Sequence, residues 1–216
     1  MEVRSASQEP FMCLVFIISA PSGSGKSTLV KRLMESDENL TFSTSVTTRD
    51  RRPGDGESYE FVSREAFVKL RDDGELLESA EVFGHFYGTS RKVLRRAAKQ
   101  RRDLILDIDV QGAAQLRETL PEAVSIFILP PSRQELESRL RKRSSDSDQV
   151  ISRRLNDAGQ EVLNYECYDY VLVNDQLDES FERLRGILLA ERCRKHRVKK
   201  EIQPIVESFQ AERGKL

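Results

Sequence analysis

The ten residues Ser19-Ala20-Pro21-Ser22-Gly23-Ser24-Gly25-Lys26-Ser27-Thr28 constrain this chain more than any other stretch. They follow the apolar run 14–18 directly, so a buried strand passes into a glycine loop that opens a helix. That order is the layout of a phosphate-binding loop. Glycines let successive backbone N–H groups converge on a phosphate, and the helix N-terminus adds the positive end of its dipole. Lys26 is placed to reach β- and γ-phosphates, and the Ser27 hydroxyl to ligate Mg²⁺. Ala20 stands where the motif's first glycine is expected.

Composition narrows the rest. Thirty-five basic residues are balanced by 36 acidic ones for a net charge of −1. Anion binding must therefore come from local clustering and not from a global field. Two histidines cannot build a metal site, and Cys13, Cys167 and Cys193 lack ligand spacing, which suits a reduced cytoplasm. No apolar run approaches the roughly 18 residues of a membrane span. Residues 11–18 have the length of a signal-peptide core, but they run straight into the phosphate loop, so cleavage there would destroy it. Residues 1–11 are expected to be a disordered extension.

Short apolar runs at 13–19, 104–109, 124–129 and 170–173 show little alternation, as strands covered on both faces do. Helical patterns lie between and after them, at 26–36, 111–118, 132–143, 148–164 and 178–197, with Asp178 as the expected N-cap of the last. Strands alternating with helices predict an α/β core with a parallel sheet. Residues 42–90 break the rhythm with half-polar strands at 42–47, 59–62 and 76–82, which reads as an inserted small α+β lobe. The polar, arginine-rich stretch 141–148 suits a mobile flap over phosphates. The basic stretches 91–102 and 192–200 lack interleaved aromatics and read as solvated helix charges, not as a nucleic-acid surface.

Asp107 and Asp109 end an apolar strand, where a P-loop fold aims a carboxylate at Mg²⁺. A period of two would put both on one face. In the small lobe, Arg49 and Arg52 with Tyr59 and Tyr87 can grip a second phosphate, guanidinium by forked bonds and phenol by single ones. Glu78 can read a base. A guanine edge offers N1–H and N2–H₂ side by side to one carboxylate, whereas adenine presents an acceptor there, and Ser45 can contact O6.

These motifs resemble guanylate kinases over about residues 13–197. The resemblance rests on the loop 20–27, Ser45 with Thr47-Thr48-Arg49 and Arg52, Tyr59, Glu78, Tyr87-Gly88-Thr89, and Asp107-Ile108-Asp109-Val110-Gln111-Gly112. It implies a P-loop NTPase core at 12–41 and 91–200 with a lid at about 140–156, a GMP-binding lobe at 42–90, and a C-terminal extension at 201–216. ATP would be held by residues 20–28 and Asn174, and GMP by Ser45, Arg49, Arg52, Tyr59, Glu78, Tyr87, Gly88, Thr89 and Asp109. Ser27 and Asp107 would hold Mg²⁺. Lys26, Arg49, Arg139, Arg143 and Arg154 would neutralise charge during transfer from ATP to GMP and to dGMP, in cytoplasmic purine metabolism. No nucleic-acid or membrane partner is implied, and the sequence leaves a homodimer open. The extra Arg51 beside Arg52 departs from the family pattern, and spacing from Arg49 favours Arg52. A related ribose-bisphosphate kinase would share the loop but not the set Ser45, Arg49, Arg52, Tyr59, Glu78. A non-catalytic binding module of the same fold would degrade the loop, which this chain keeps. A GTPase would need an N-K-x-D motif, which is absent.

Overall fold

Apolar runs joined by helices can pair in parallel, because the helices supply the long crossover that a strand returning in the same direction needs. The computed structural model describes residues 13–51, 59–82, 84–143 and 147–213 and has this arrangement. Its larger sheet takes β1 (Val15–Ser19), β2 (Leu40–Phe42), β7 (Asp103–Asp107), β8 (Val124–Leu129) and β9 (Tyr170–Val173). They lie in the order β2-β7-β1-β8-β9, with every pairing parallel. Around it stand α1 (Lys26–Ser36), α3 (Lys92–Gln100), α4 (Val110–Thr119) and α7 (Leu177–Arg192).

Alternation along β1 builds two cores at once. Phe16 and Ile18 join Leu29, Leu33, Leu184 and Leu188 on one face. Val15 and Ile17 join Leu94, Ala113 and Leu116 on the other. With both faces covered, the strand is apolar throughout, as the sequence implies.

The smaller sheet takes β3 (Ser45–Thr47), β4 (Tyr59–Phe61), β5 (Leu76–Val82) and β6 (His85–Ser90), in the order β4-β3-β6-β5. Helix α2 (Arg64–Asp72) covers it, burying Phe67 against Val46 and Leu76. The strand expected at 42–47 is in fact two. Phe42 pairs with Ile105 in the parallel sheet, and the Ser43 N–H still donates to the Ile105 carbonyl (3.0 Å) before the chain crosses to the smaller sheet. Buried Leu40 belongs to the main core and draws this segment to it.

Helices α5 (Arg133–Arg143) and α6 (Asp148–Glu161) pack through Leu136, Leu140, Ile151, Leu155 and Ala158. Arg141 closes their junction on Asp148 (2.6 Å). Residues 144–146 of the expected flap lie outside the described residues, as does the extension 1–11. Helix α6 stops at Glu161 and tightens into a 3₁₀ turn, Val162–Cys167, short of the expected 164.

Helix α7 also differs from expectation. Gln176 is its N-cap, and Asp178 lies inside the first turn, where the dipole favours an acid and where it pairs with Arg32 (2.5 Å). The helix ends at Arg192 and not near 197. The Arg192 guanidinium there bridges Asp37 (2.6 Å) and Asp103 (2.7 Å), tying the helix end to α1 and to the start of β7. A further helix, α8 (Lys199–Arg213), contains Pro204, a residue that reads as a breaker in sequence. Among the described residues, no helix is long and apolar enough to cross a membrane.

Ile17 is fully buried at the centre of the parallel sheet. Ile17→Ala is expected to lower the unfolding free energy by about 3 kcal/mol, read as an earlier urea midpoint at unchanged slope.

Candidate active site

The loop after β1 turns on two glycines whose backbones only glycine adopts without strain. Gly23 has φ +93° and Gly25, the residue before α1, has φ +88°. Space is short as well as conformation. A Cβ on Gly25 would lie 2.2 Å from Asn174 Nδ2, and one on Gly23 would lie 2.9 Å from Leu136 Cδ1. Ala20 has no positive φ and packs against the main core, so this position accepts a side chain. That is why alanine can stand for the motif's first glycine. Ser22 and, at the helix start, Ser27 and Thr28 are exposed, while Ser24 is buried.

Asn174, just past β9, donates from its amide to the Ser24 carbonyl (2.8 Å) and is 4% exposed. The sequence places this residue beside ATP. In the structure its side chain faces the loop and fixes the carbonyl next to Gly25. Arg139 reaches the same junction. Its Nη1 donates to the Asn174 carbonyl (3.0 Å) and its Nε to Glu135 (2.8 Å). Helix α5 is thereby fastened to the strand end that clamps the loop.

Lys26 opens α1 and forms an ion pair with Asp107, while its Nζ donates to the Ile108 carbonyl (3.2 Å). Register explains the meeting. Ile18 is paired with Asp107, so this carboxylate arrives beside the last turn before the loop. Asp109 does not share its face. The strand ends at Asp107, and Asp109 is the N-cap of α4, accepting from the Gly112 N–H (2.8 Å). The period-two expectation fails because the backbone leaves the strand between the two acids.

As a cation site, the loop offers the Ser27 hydroxyl and the Asp107 carboxylate. Among the described residues, no three His, Cys, Asp or Glu side chains gather to cage an ion. One or two hard oxygen donors beside a phosphate site fit a divalent ion of the magnesium type, which keeps waters and takes phosphate oxygens as its other ligands.

The smaller sheet brings four sequence-predicted residues into one row. Ser45 pairs with both Tyr59 and Thr89, and Thr89 pairs with Glu78, so the row crosses all four strands. The Thr89 hydroxyl donates to Glu78 Oε1 (2.7 Å). Glu78 is 7% exposed, and its pKa is pushed up to about 7, first by burial and further by the charge of Asp109. Its other oxygen faces Gly112, where a Cβ would lie 2.7 Å away. Gly88 passes equally close to the Glu78 carbonyl.

Beside that row, the Arg49 guanidinium lies over the Tyr59 ring (4.7 Å) and donates to the Asp50 carbonyl (2.8 Å). Tyr87 meets Tyr59 edge-on, with ring centroids 6.4 Å apart. Burial raises the Tyr59 pKa, and the negative charge of Asp107 adds to it. Arg51 stacks on Phe61 (4.9 Å). Arg52 and the Arg143 side chain lie outside the described residues, and Arg154 is half-buried in α6.

Two residues near the site escape sequence reasoning. Glu161, at the end of α6, has its pKa raised by burial and by Asp109, while Lys26 lowers it. An acid at a helix end carries no signal of that neighbourhood. Gln115 of α4 grips the backbone of β5. Only topology brings it there.

A family model described as Guanylate kinase matches residues 13–191. The chain is 51% identical to a guanylate kinase of Koribacter versatilis over 90% of this chain and 86% of that protein. It is 45% identical to one of Vibrio cholerae over 92% and 98%. The crystal structure of a guanylate kinase from Anaplasma phagocytophilum superposes with a TM-score of 0.71 at 38% identity, covering 88% of this chain and 94% of that one.

Asn174→Ala should release the Ser24 carbonyl while leaving the glycines in place. Affinity for a nucleoside triphosphate is expected to fall about tenfold, measured by titration calorimetry, with the thermal midpoint shifted by only a few degrees.

Proposed function

The chain belongs to the guanylate kinase family, and we propose that its activity, transfer of the ATP γ-phosphoryl group to GMP with release of ADP and GDP, is carried by the two residue groups described above. The attacking oxygen of GMP is already anionic, so no general base is needed. Catalysis reduces to positioning and charge neutralisation. The single observation that carries the assignment is the buried Glu78–Thr89 pair in the sheet row that includes Ser45 and Tyr59.

In this reading, backbone N–H groups of residues 20–28 cradle the ATP phosphates. Lys26 exchanges Asp107 for β- and γ-phosphate oxygens. Bound with ATP at Ser27 and Asp107, Mg²⁺ would supply further neutralisation of the triphosphate. Arg49, Arg52, Tyr59 and Tyr87 hold the GMP phosphate. Ionised Glu78 accepts guanine N1–H and N2–H, Ser45 meets O6, and Gly88, Thr89 and Asp109 complete the pocket. None of these contacts involves the ribose 2′-hydroxyl, so dGMP is accepted too. Arg139, Arg143 and Arg154 cover the transferring group when the lid closes, which also excludes water and limits ATP hydrolysis. Balanced charge and scattered thiols fit a cytoplasmic enzyme that acts on small molecules and not on nucleic acid.

A coupled assay of ADP production with Mg·ATP and each of GMP, AMP, CMP, UMP and ribose 1,5-bisphosphate should give turnover with GMP alone. Activity on the ribose bisphosphate would overturn the acceptor assignment. Lys26→Met is expected to reduce kcat by at least 10³-fold, since it removes a fixed charge from the transition state, and near-normal turnover would refute the mechanism.

The pH dependence follows from Glu78. Its carboxyl holds a proton up to about pH 7 in the free protein, and only the ionised form accepts both guanine donors. KM for GMP should therefore rise as pH falls through about 7, approaching tenfold per unit well below it. In Glu78→Gln this component should vanish, leaving the shallower effect of phosphate ionisation. A GMP KM unaffected by that substitution would remove Glu78 from the base site.

A further inference from the structure

β5 is an edge strand of the smaller sheet, bonded to β6 on one side only. In an antiparallel ladder, a residue directs its own N–H and C=O to the same side, and its neighbours direct theirs to the other. Both backbone groups of Ser79 leave the sheet and meet one side chain. The Ser79 N–H donates to Gln115 Oε1 (3.1 Å), and Gln115 Nε2 donates to the Ser79 carbonyl (2.9 Å). A primary amide has the donor–acceptor geometry of a peptide group, so Gln115 acts as a one-residue neighbouring strand. Edge groups left bare would otherwise turn to water.

Gln115 belongs to α4, and α4 belongs to the phosphate-binding core. Its N-cap Asp109 lies two residues past Asp107, and its Ala113 and Leu116 pack in the core beneath β1. Three successive residues of β5 meet this helix in three ways. Leu77 enters the same apolar cluster as Ala113 and Leu116. The Glu78 carboxylate settles over Gly112, where no Cβ obstructs it. Ser79 is held at Gln115, on the helical face of Gly112 and one turn later. Nothing comparable holds the smaller sheet at β4, its other edge, among the described residues.

We infer that Gln115 is a positioning residue for guanine selectivity: its bidentate grip on Ser79 fixes the edge strand against α4 and so holds the Glu78 carboxylate at the distance from the phosphate loop that a guanine monophosphate spans. This rests on Glu78 as the base-reading acid. Gln115 touches neither substrate. It sets where the reader stands relative to the catalytic loop, and it joins the lobe to the core at that point without burying charge.

The test compares Gln115→Met, which keeps length and volume and deletes both bonds, with Gln115→Glu, which keeps the acceptor facing the Ser79 N–H. KM for GMP is expected to rise on the order of tenfold in Gln115→Met and less in Gln115→Glu. KM for ATP should stay within about twofold, and the preference for GMP over AMP should narrow. With Glu78 freed to meet water, the pH midpoint of GMP binding in Gln115→Met should move down towards the ordinary carboxylate range. A merely structural role would shift the thermal midpoint and none of these. Unchanged GMP KM and selectivity in folded Gln115→Met overturn the proposal, as does an equal loss for GMP and ATP. Glu78→Gln, assayed alongside, separates the two failures. If Glu78→Gln alters selectivity and Gln115→Met does not, only the positioning role falls. If neither does, the base-reading assignment has failed and the proposal falls with it.

Discussion

Everything in this molecule is arranged around a loop whose backbone donors must converge. That convergence needs left-handed turns at Gly23 and Gly25, which glycine adopts without strain but does not by itself hold, so neighbouring groups must fix them. Asn174 does so from one side, its amide 2.8 Å from the Ser24 carbonyl. Leu136 and Leu140 do so from another, with no room for a Cβ at Gly23. The loop is thus wedged between the end of β9 and the first lid helix. Arg139 connects those two supports through the Asn174 carbonyl. A change in α5 is in mechanical contact with the glycine loop through these two residues.

The smaller sheet solves a different problem. A carboxylate that reads guanine must be dry enough to bind strongly, yet burial disfavours its charge. Glu78 carries that conflict openly. Thr89 stabilises its ionised form through its hydroxyl and its backbone, while burial and Asp109 oppose it. On the proposed assignment, guanine would bring two donors to this acid and adenine an acceptor, so discrimination would come from leaving a buried group unpaired with the wrong base.

Much of this was legible in sequence, and the limits are physical. The strand–loop–helix order, both faces of β1, and the residues Ser45, Tyr59, Glu78 and Thr89 could be named in advance, because each expresses a local pattern or a chemical type. Where a residue's role depends on register across distant segments, sequence was silent or wrong. Asp109 obeyed helix capping and not strand alternation. Phe42 went to the larger sheet because buried Leu40 drew it there. Only the fold shows that the Asn174 amide meets the Ser24 carbonyl, 150 residues away in the chain. Gln115 carried no signal, since the peptide group it imitates against lies 36 residues away in the chain.

Phosphoryl transfer between two nucleotides brings several negative charges together, yet the chain as a whole is almost neutral at −1. The cations must therefore be local and held in reserve. Lys26 waits on Asp107, Arg49 on an aromatic face and a carbonyl, and Arg139 on Glu135 and two backbone oxygens. If these cations serve as proposed, nucleotide binding would be an exchange of partners and not a first neutralisation. Charges kept paired until the substrates enter cost little stability in the empty protein. That combination suits an enzyme that must bind two small anions with little net charge of its own.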